Sequence, residues 1–327
     1  AIGREFSYEL LRAVSELSED ELKRALAQLV ASELVFQRGA PPAAVFSFKH
    51  ALVRDAAYGS LLRGSRRQWH ARIGQALEAQ SRQLMETQPE VLAWHYAEAG
   101  LVEKAIAFWT RAGQRSAARS ALAEAAAHFQ KALDQVAPPP ESAAGLRQEL
   151  EIRSALGAVL RFLKGQASLE TRQAYAHMRK LWEQLGSPPE LRHVAYGLSM
   201  AYAYGGDLAE ARQVGEGLLR VSRDRDDSAG LVLGHSVCGQ NCFMSGELQT
   251  ARFHLERLLA LYDPAVHDTL VQQAGSHPLM TESFLGFTLC SLGWPDQALA
   301  RSASAIADAR RLAHPTSLAV GLALGAL

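Results

Sequence analysis

Three side chains in this sequence have the type and spacing for metal chemistry: His235, Cys238 and Cys242. They fall at i, i+3 and i+7, on one face of a helix, and imidazole and thiolate are ligands that zinc favours. The set has no C-x-x-C pair, and the sequence shows no fourth ligand. The same positions face inward on a repeat helix, where cysteine serves as a small apolar residue. Core cysteines are therefore expected, with no metal and no cofactor. Ser236, in Gly234-His235-Ser236-Val237-Cys238, approaches a nucleophile elbow, but Cys238 stands where the motif needs glycine. A mid-helix serine would also be buried, whereas the elbow presents its hydroxyl on a sharp turn. Asp224, Asp226 and Ser228 begin like a calcium loop, yet Ala229 replaces its glycine and His235 its bidentate glutamate. A polar interhelix loop is the reading there. The remaining carboxylates are scattered, with no pair placed for acid–base work. No G-x-x-x-x-G-K-S/T phosphate loop occurs, nor a cyclase-like pair of metal-binding aspartates. The expectation is a chain that catalyses nothing itself.

The elements that carry these residues repeat. The organising stretch is Pro89 to Val136, expected as a helical hairpin. Trp109, Ala112 and Gly113, then Ala125, Phe129 and Ala132, with Pro138 after them, follow the tetratricopeptide (TPR) order of large, small, small, then alanine, aromatic, alanine. Small residues at Gly113 and Ala125 let two helices approach, and Trp109 and Phe129 fill the space beside them. Neither helix buries its apolar stripe alone, so the units must stack. Gly206, Asp207, Leu208 and Ala211 return 40 residues later as Gly246, Glu247, Leu248 and Ala251, and Leu218 as Leu258. Gly293 and Ala298 follow Gly246 and Ala251 by 47, with the extra residues assigned to the loop Asp263 to Pro278. A weaker copy joins Leu156, Gly157 and Leu160 to Ala174, Met178 and Leu181. These periods exceed the usual 34 residues of the motif, which predicts long helices and irregular loops.

Composition sets the frame. The chain has 327 residues, is 48% hydrophobic and 21% charged, and carries no formal net charge. Its pI is about 7.4. That balance exerts no global pull towards nucleic acid or membrane. No apolar run reaches the roughly 18 residues needed to span a bilayer, and no signal peptide appears. Three cysteines, Cys238, Cys242 and Cys290, point to a reducing, cytoplasmic setting. The start at Ala1 without methionine, and the end inside TSLAVGLALGAL, predict a fragment of a larger protein with an incomplete last repeat.

Residues 1–62 differ from the rest. A helix is expected over Tyr8 to Leu17, and a capping box at Ser18-Glu19-Asp20-Glu21 opens a second, with Leu22, Leu26, Leu29 and Val30 on its apolar face. Two short strands, Leu34 to Gln37 and Val45 to Phe48, flank Gly39-Ala40-Pro41-Pro42, and a further helix runs from His50 to Leu62. Helices followed by a β-hairpin are the order of a winged helix. The second helix carries Lys23 and Arg24 but also Glu19, Asp20, Glu21 and Glu33, which argues against DNA as its partner. Arg63, Arg66, Arg67 and Arg72 surround Trp69 and His70 on a connecting helix over 63–88. The cluster fits a solvated face better than a phosphate contact, with Trp69, Ile73 and Leu77 turned to the core. Pro138-Pro139-Pro140 is a stiff break, and Ser187-Pro188-Pro189 and His314-Pro315 each restart a helix.

The run Phe48-Lys49-His50-Ala51-Leu52-Val53-Arg54-Asp55-Ala56-Ala57-Tyr58 resembles the end of the winged-helix domain in STAND-type signalling ATPases. With IGREFSYELL and LGWPDQALA, the chain resembles the C-terminal half of bacterial proteins that join a class III adenylate/guanylate cyclase domain, an AAA-type ATPase and TPR repeats. The resemblance implies an all-α fold: a winged-helix domain over 1–62, the connecting helix, and a right-handed TPR-like solenoid over 89–327. It also implies that His50, opposite a nucleotide-sensing histidine of related ATPases, acts only in the parent protein. The Lys49 and Ala51 neighbours keep that motif only in part.

First helices of stacked hairpins line a concave face. Counted from Ser199, Gly239 and Gly286, that face should show Tyr196, Met200, Ser236, Gln240, Phe243, Ser283 and Phe287. Met200, Gln240 and Phe287 stand at the asparagine-like positions of carboxylate-clamp repeats, which predicts an apolar helix or loop of a protein partner as ligand. The alternative is that these aromatics pack between repeats. The expected partner is a protein or the parent's own ATPase domain, with no membrane; the oligomeric state is left open. A regulatory scaffold is the first reading, and a DNA-binding regulator using the winged helix is the alternative.

Overall fold

The computed structural model describes residues 2–80, 82–136, 142–186, 188, 192–270, 278–313 and 315–325. The Pro138-Pro139-Pro140 break, Ser187, Pro189 and His314 lie outside them, as does much of the loop assigned the extra residues of the third copy. The chain divides into two compact units, 1–112 with 134–136, and 113–133 with 137–327.

The first unit opens with a strand that the sequence pattern did not predict, β1 (Glu5–Ser7). Ser7 then caps α1 (Tyr8–Val14), its side chain accepting the Leu10 N–H. The helix ends three residues short of the expected Leu17, in an extended Ser15. The capping box forms as read: the Ser18 side chain accepts from the Glu21 backbone and Glu21 accepts from the Ser18 N–H, starting α2 (Glu19–Ala31). Strands β2 (Val35–Arg38) and β3 (Val45–Phe48) follow, the first one residue later than expected. All three pair antiparallel in the order β1-β3-β2, with Phe6 and Gln37 both opposite Phe46. Alternation turns Phe46 inward, onto Tyr8, Leu22, Leu26, Val35 and Ala44.

The expected helix from His50 to Leu62 is shorter, α3 (Ala51–Gly59), because Arg63 already opens α4 (Arg63–Gln80). The connecting segment holds a second helix, α5 (Arg82–Thr87). Ile73 of α4 packs with Leu10 and Val14, and Trp69 and Leu77 close the same cluster. The Pro89–Val136 stretch is three helices rather than one hairpin: α6 (Pro89–Ala99), α7 (Val102–Ala118) and α8 (Leu122–Gln135). Gly100, in a left-handed conformation, ends α6 after eleven residues and so adds a helix to the expected hairpin.

The second unit is built of hairpins. A side chain at Gly113 would meet the Phe129 ring at 2.6 Å, so the glycine is what lets α7 close on α8. Then come α9 (Ala143–Leu163) and α10 (Leu169–Gln184), α11 (Arg192–Gly205) and α12 (Leu208–Asp224), and α13 (Ser228–Met244) and α14 (Leu248–Leu261). A short α15 (Pro264–His267) and a 3-10 turn at Pro278–Thr281 precede α16 (Glu282–Ser291), α17 (Pro295–Arg311) and α18 (Pro315–Gly325). The copied glycines Gly206, Gly246 and Gly293 all take positive φ, from 78 to 93°, at the tight turn inside a hairpin. That shared backbone need explains the 40-residue echo in the sequence. The protein is an all-α, TPR-like solenoid joined to a small hairpin-bearing N-terminal part.

Arginines on second helices secure successive hairpins. Arg179 reaches Glu210 at 3.1 Å, Arg212 pairs with Glu247, and the Arg252 guanidinium lies 4.0 Å from the Trp294 ring centre. Within the second unit α13 is enclosed from Ala229 to Cys242 save for partly exposed Leu231. Its Gly234 admits Leu219 from α12, and its Gly239 admits Leu255 from α14.

Candidate functional site

The seven residues predicted for a concave face sit on α11, α13 and α16, but five of them are closed to solvent. Tyr196, Met200, Ser236, Gln240 and Ser283 are buried, whereas Phe243 and Phe287 are half-exposed. Two of the buried polar members, Ser236 and Gln240, hold helices together. Ser236 Oγ is 3.0 Å from Thr281 Oγ1, and the Gln240 amide donates to Tyr204 Oη at 2.8 Å. Tyr196 and Met200 join the cluster of Leu218, Val232, Leu233 and Val237. Counting from Ser199, Gly239 and Gly286 did not foresee this burial, because neighbouring first helices pack on each other as well as on their own partners.

What remains open is aromatic. Phe243, Phe284 and Phe287 form a triangle with ring centres 5.5, 6.0 and 5.9 Å apart, its base the buried Phe284.

The other candidates have ordinary placements. Ser236 lies mid-helix with its hydroxyl bonded inside, so it is no elbow nucleophile. The Asp224–Ser228 segment is the turn between α12 and α13, where Asp227 pairs with Arg192 at 3.0 Å. Burial pushes the Cys238 thiol up to about 12, and the Cys242 thiol also rises. Among the described residues, no three His, Cys, Asp or Glu groups are gathered to hold a metal ion. His50 precedes α3, exposed, with no capping bond from its side chain. The arginine cluster is engaged locally. Arg72 pairs with Glu16 at 2.5 Å and stacks on Trp69, while Arg66 donates to the Leu61 and Gly59 carbonyls and covers the Tyr58 ring.

The sequence pattern missed two histidine pairs. In the first unit His70 Nδ1 is 3.1 Å from His95 Nδ1, and Tyr58 Oη is 3.0 Å from His70 Nε2. Trp94 stands edge-on to His70, and burial lowers both imidazoles to about 4. In the second unit His235 Nδ1 is 3.0 Å from His254 Nδ1. Partners 19 and 25 residues apart leave no local spacing to read.

No known family profile matches the chain. An uncharacterized protein of Rhizobium meliloti is 29% identical over 174 residues, covering 53% of this chain and 17% of that protein. The chain thus spans under a fifth of the curated relative it matches. Among solved structures, NprR in complex with its cognate peptide NprX superposes with a TM-score of 0.53 at 12% identity, over 96% of this chain and 80% of that one. A STAND protein with a tetratricopeptide repeat sensor from Pyrococcus horikoshii gives a TM-score of 0.39 at 12% identity, over 98% of this chain and 50% of that one. No helix among the described residues is long and apolar enough to cross a membrane.

Proposed function

We propose that this chain is the non-catalytic, cytoplasmic interaction region of a larger signalling protein, and that its repeats bind a segment of a protein partner. The observation that carries this reading is the run of stacked hairpins that leaves Phe243 and Phe287 half-open above a sealed polar layer. Phe243 and Phe287 are the contact residues. Tyr196, Met200, Ser236, Gln240 and Ser283, the other members of the predicted face, are buried and act by holding the repeats in place. The peptide-bound state of NprR, a protein of similar fold, supports a peptide-like ligand. Residues 1–62 act as a winged-helix domain and 63–88 as the connection to repeats over 89–327. The parent is an ATPase of the STAND type, with or without a cyclase domain, and its own ATPase domain is the competing occupant. Partner binding then shifts the parent between two states through unequal contacts with each.

DNA binding gains no support from α2, whose first turn carries Glu19, Asp20 and Glu21. His50 senses nucleotide only in the parent, so His50→Ala should alter nucleotide exchange there; an unchanged rate removes that role. The test of the main reading is capture from cytoplasmic extract by the 327-residue chain and by its Phe243→Ala/Phe287→Ala variant. A partner held by the first and lost by the folded variant supports the aromatic contact. Equal capture by both refutes it.

A further inference from the structure

We infer that the connection between α14 and α16 occupies part of the repeats' own ligand face as a built-in stand-in, and that the partner is a peptide segment that displaces it by placing an aliphatic side chain where Leu270 now sits. This rests on the peptide-binding role proposed above. The connection is where the third copy carries its extra residues, so it is no part of the repeating hairpin. Its described pieces are α15 with the turn that reaches Leu270, and the 3-10 turn Pro278–Thr281.

Both pieces meet first helices. Leu270 is buried in the cluster that holds Tyr196 and Met200 from α11 and Val232, Leu233 and Val237 from α13. His267 Nε2 stands 3.3 Å from Ser228 Oγ, at the start of α13. Thr281 Oγ1 meets Ser236 farther along the same helix. Tyr196, Met200 and Ser236, three of the residues expected to face a ligand, thus share a cluster or a hydrogen bond with the chain's own connection.

The α15 piece is one layer thick. His267 and Leu270 are buried, while Pro264, Ala265, Val266 and Thr269 are exposed, so one side faces the repeats and the other faces water. On the outer side Asp268 accepts a hydrogen bond from Tyr262 Oη and pairs with Arg311 at 2.8 Å. The stand-in also leaves polar groups unmet. One turn along α13 from Ser236, Gln240 Oε1 has no partner among the described residues, nor has Ser283 Oγ two residues beyond Thr281, and both residues are closed to solvent. An enclosed acceptor without a donor is costly. A peptide that fills the place of Leu270 and also brings an N–H to Gln240 therefore binds better than the chain's own segment. The covered and displaced forms are the two states that the partner shifts.

The test is binding of a fluorescent peptide of residues 262–270 to the full chain, read by anisotropy. In the wild type the tethered copy competes at an effective concentration in the roughly millimolar range of short linkers, so the free peptide binds weakly. Arg311→Ala removes an outer tie and should raise the affinity about threefold, the scale of a half-exposed ion pair. His267→Ala/Leu270→Ala vacates the face itself and should raise it by at least about tenfold. A peptide carrying Leu270→Ala should bind none of the three chains. Equal affinity across the three chains overturns the inference, as does equal binding of the two peptides or no binding to any chain. Should the double variant fail to fold by circular dichroism, wild type against Arg311→Ala still decides. The probe is the chain's own segment, so this outcome is independent of whether the Phe243/Phe287 capture finds a partner.

Discussion

Helices α3 and α13 are both rich in small and apolar residues, yet α3 has no buried residue and α13 has almost no exposed one. Leu52 of α3 is 81% exposed and Leu62 just beyond it 78%. Leu233 and Val232 of α13 are fully enclosed. Composition separates them only in part, since α3 carries Arg54 and Asp55 and α13 has no charged residue; position does the rest. Helix α13 lies between α12 and α14, and glycines at Gly234 and Gly239 let each neighbour approach within side-chain contact. Gly59 of α3 faces no atom within 4 Å. The repeats thus generate burial by stacking, as nearest-neighbour solenoids do, whereas α3 is held by a few polar tethers.

The widest gap should appear on truncation. Leu233→Ala should destabilise the second unit by about 2–5 kcal/mol, the usual range for a buried leucine. Leu52→Ala should stay within about 0.5 kcal/mol, as exposed sites do. Denaturant midpoints at fixed slope would check both, and equal losses would erase the contrast between the helices.

Acid should attack the first unit where α3 is tied down. Two buried imidazoles meeting Nδ1 to Nδ1 share one proton, and charging both sets N–H against N–H. Burial lowers His70 and His95 from 6.5 to about 4. The unfolded chain therefore binds more protons once pH falls below 6.5. This contribution is fully present above about 6.5 and is lost as pH falls towards 4, by about 3 kcal/mol for one imidazole. His95→Gln cannot titrate, so its stability should fall less steeply over that window. An unchanged slope would remove the pair as the acid-labile element.

Glycine substitutions should give opposite signs. A methyl at Gly239 would meet Leu255 Cγ at 2.6 Å, with Leu255 itself enclosed. Gly239→Ala should therefore cost about 1–3 kcal/mol by overpacking. Gly59→Ala should gain about 0.5 kcal/mol, because alanine restricts the unfolded chain and meets nothing in the folded one. Thermal midpoints moving in the same direction would show that α13 has room to spare.

Much of the second unit was legible in the sequence because its turns need glycine in one backbone conformation and its helix pairs need small residues at fixed places. Gly206, Gly246 and Gly293 announce both the period and the hairpin turns. The first unit was harder to read. A three-residue strand carries too little alternation to stand out, and Gly100 ends a helix inside the stretch read as one hairpin. The residues expected on a concave face lie on α11, α13 and α16, and their burial depends on helices far away in sequence, as Ser236 meeting Thr281 shows. Histidine pairing was invisible for the same reason: His254 looks like an ordinary helix residue until α14 is laid on α13.

The smallest expected effect is the finest probe of how α3 is held. Tyr58 sits on α3, and its hydroxyl meets His70 Nε2 at 3.0 Å while its ring lies under Arg66. Tyr58→Phe keeps the ring and its cation contact and removes only the hydroxyl, with its contacts to His70 and Glu98. The enclosed His70 nitrogen is then left without that partner, at a cost of about 1 kcal/mol. Because α3 has no fully buried residue, the loss should concentrate there: amides of α3 should exchange with solvent faster, and those of α13 should be unchanged. Equal acceleration in both helices would mean that the hydroxyl supports the whole fold, and no acceleration in α3 would mean that the ring and Arg66 suffice to hold it.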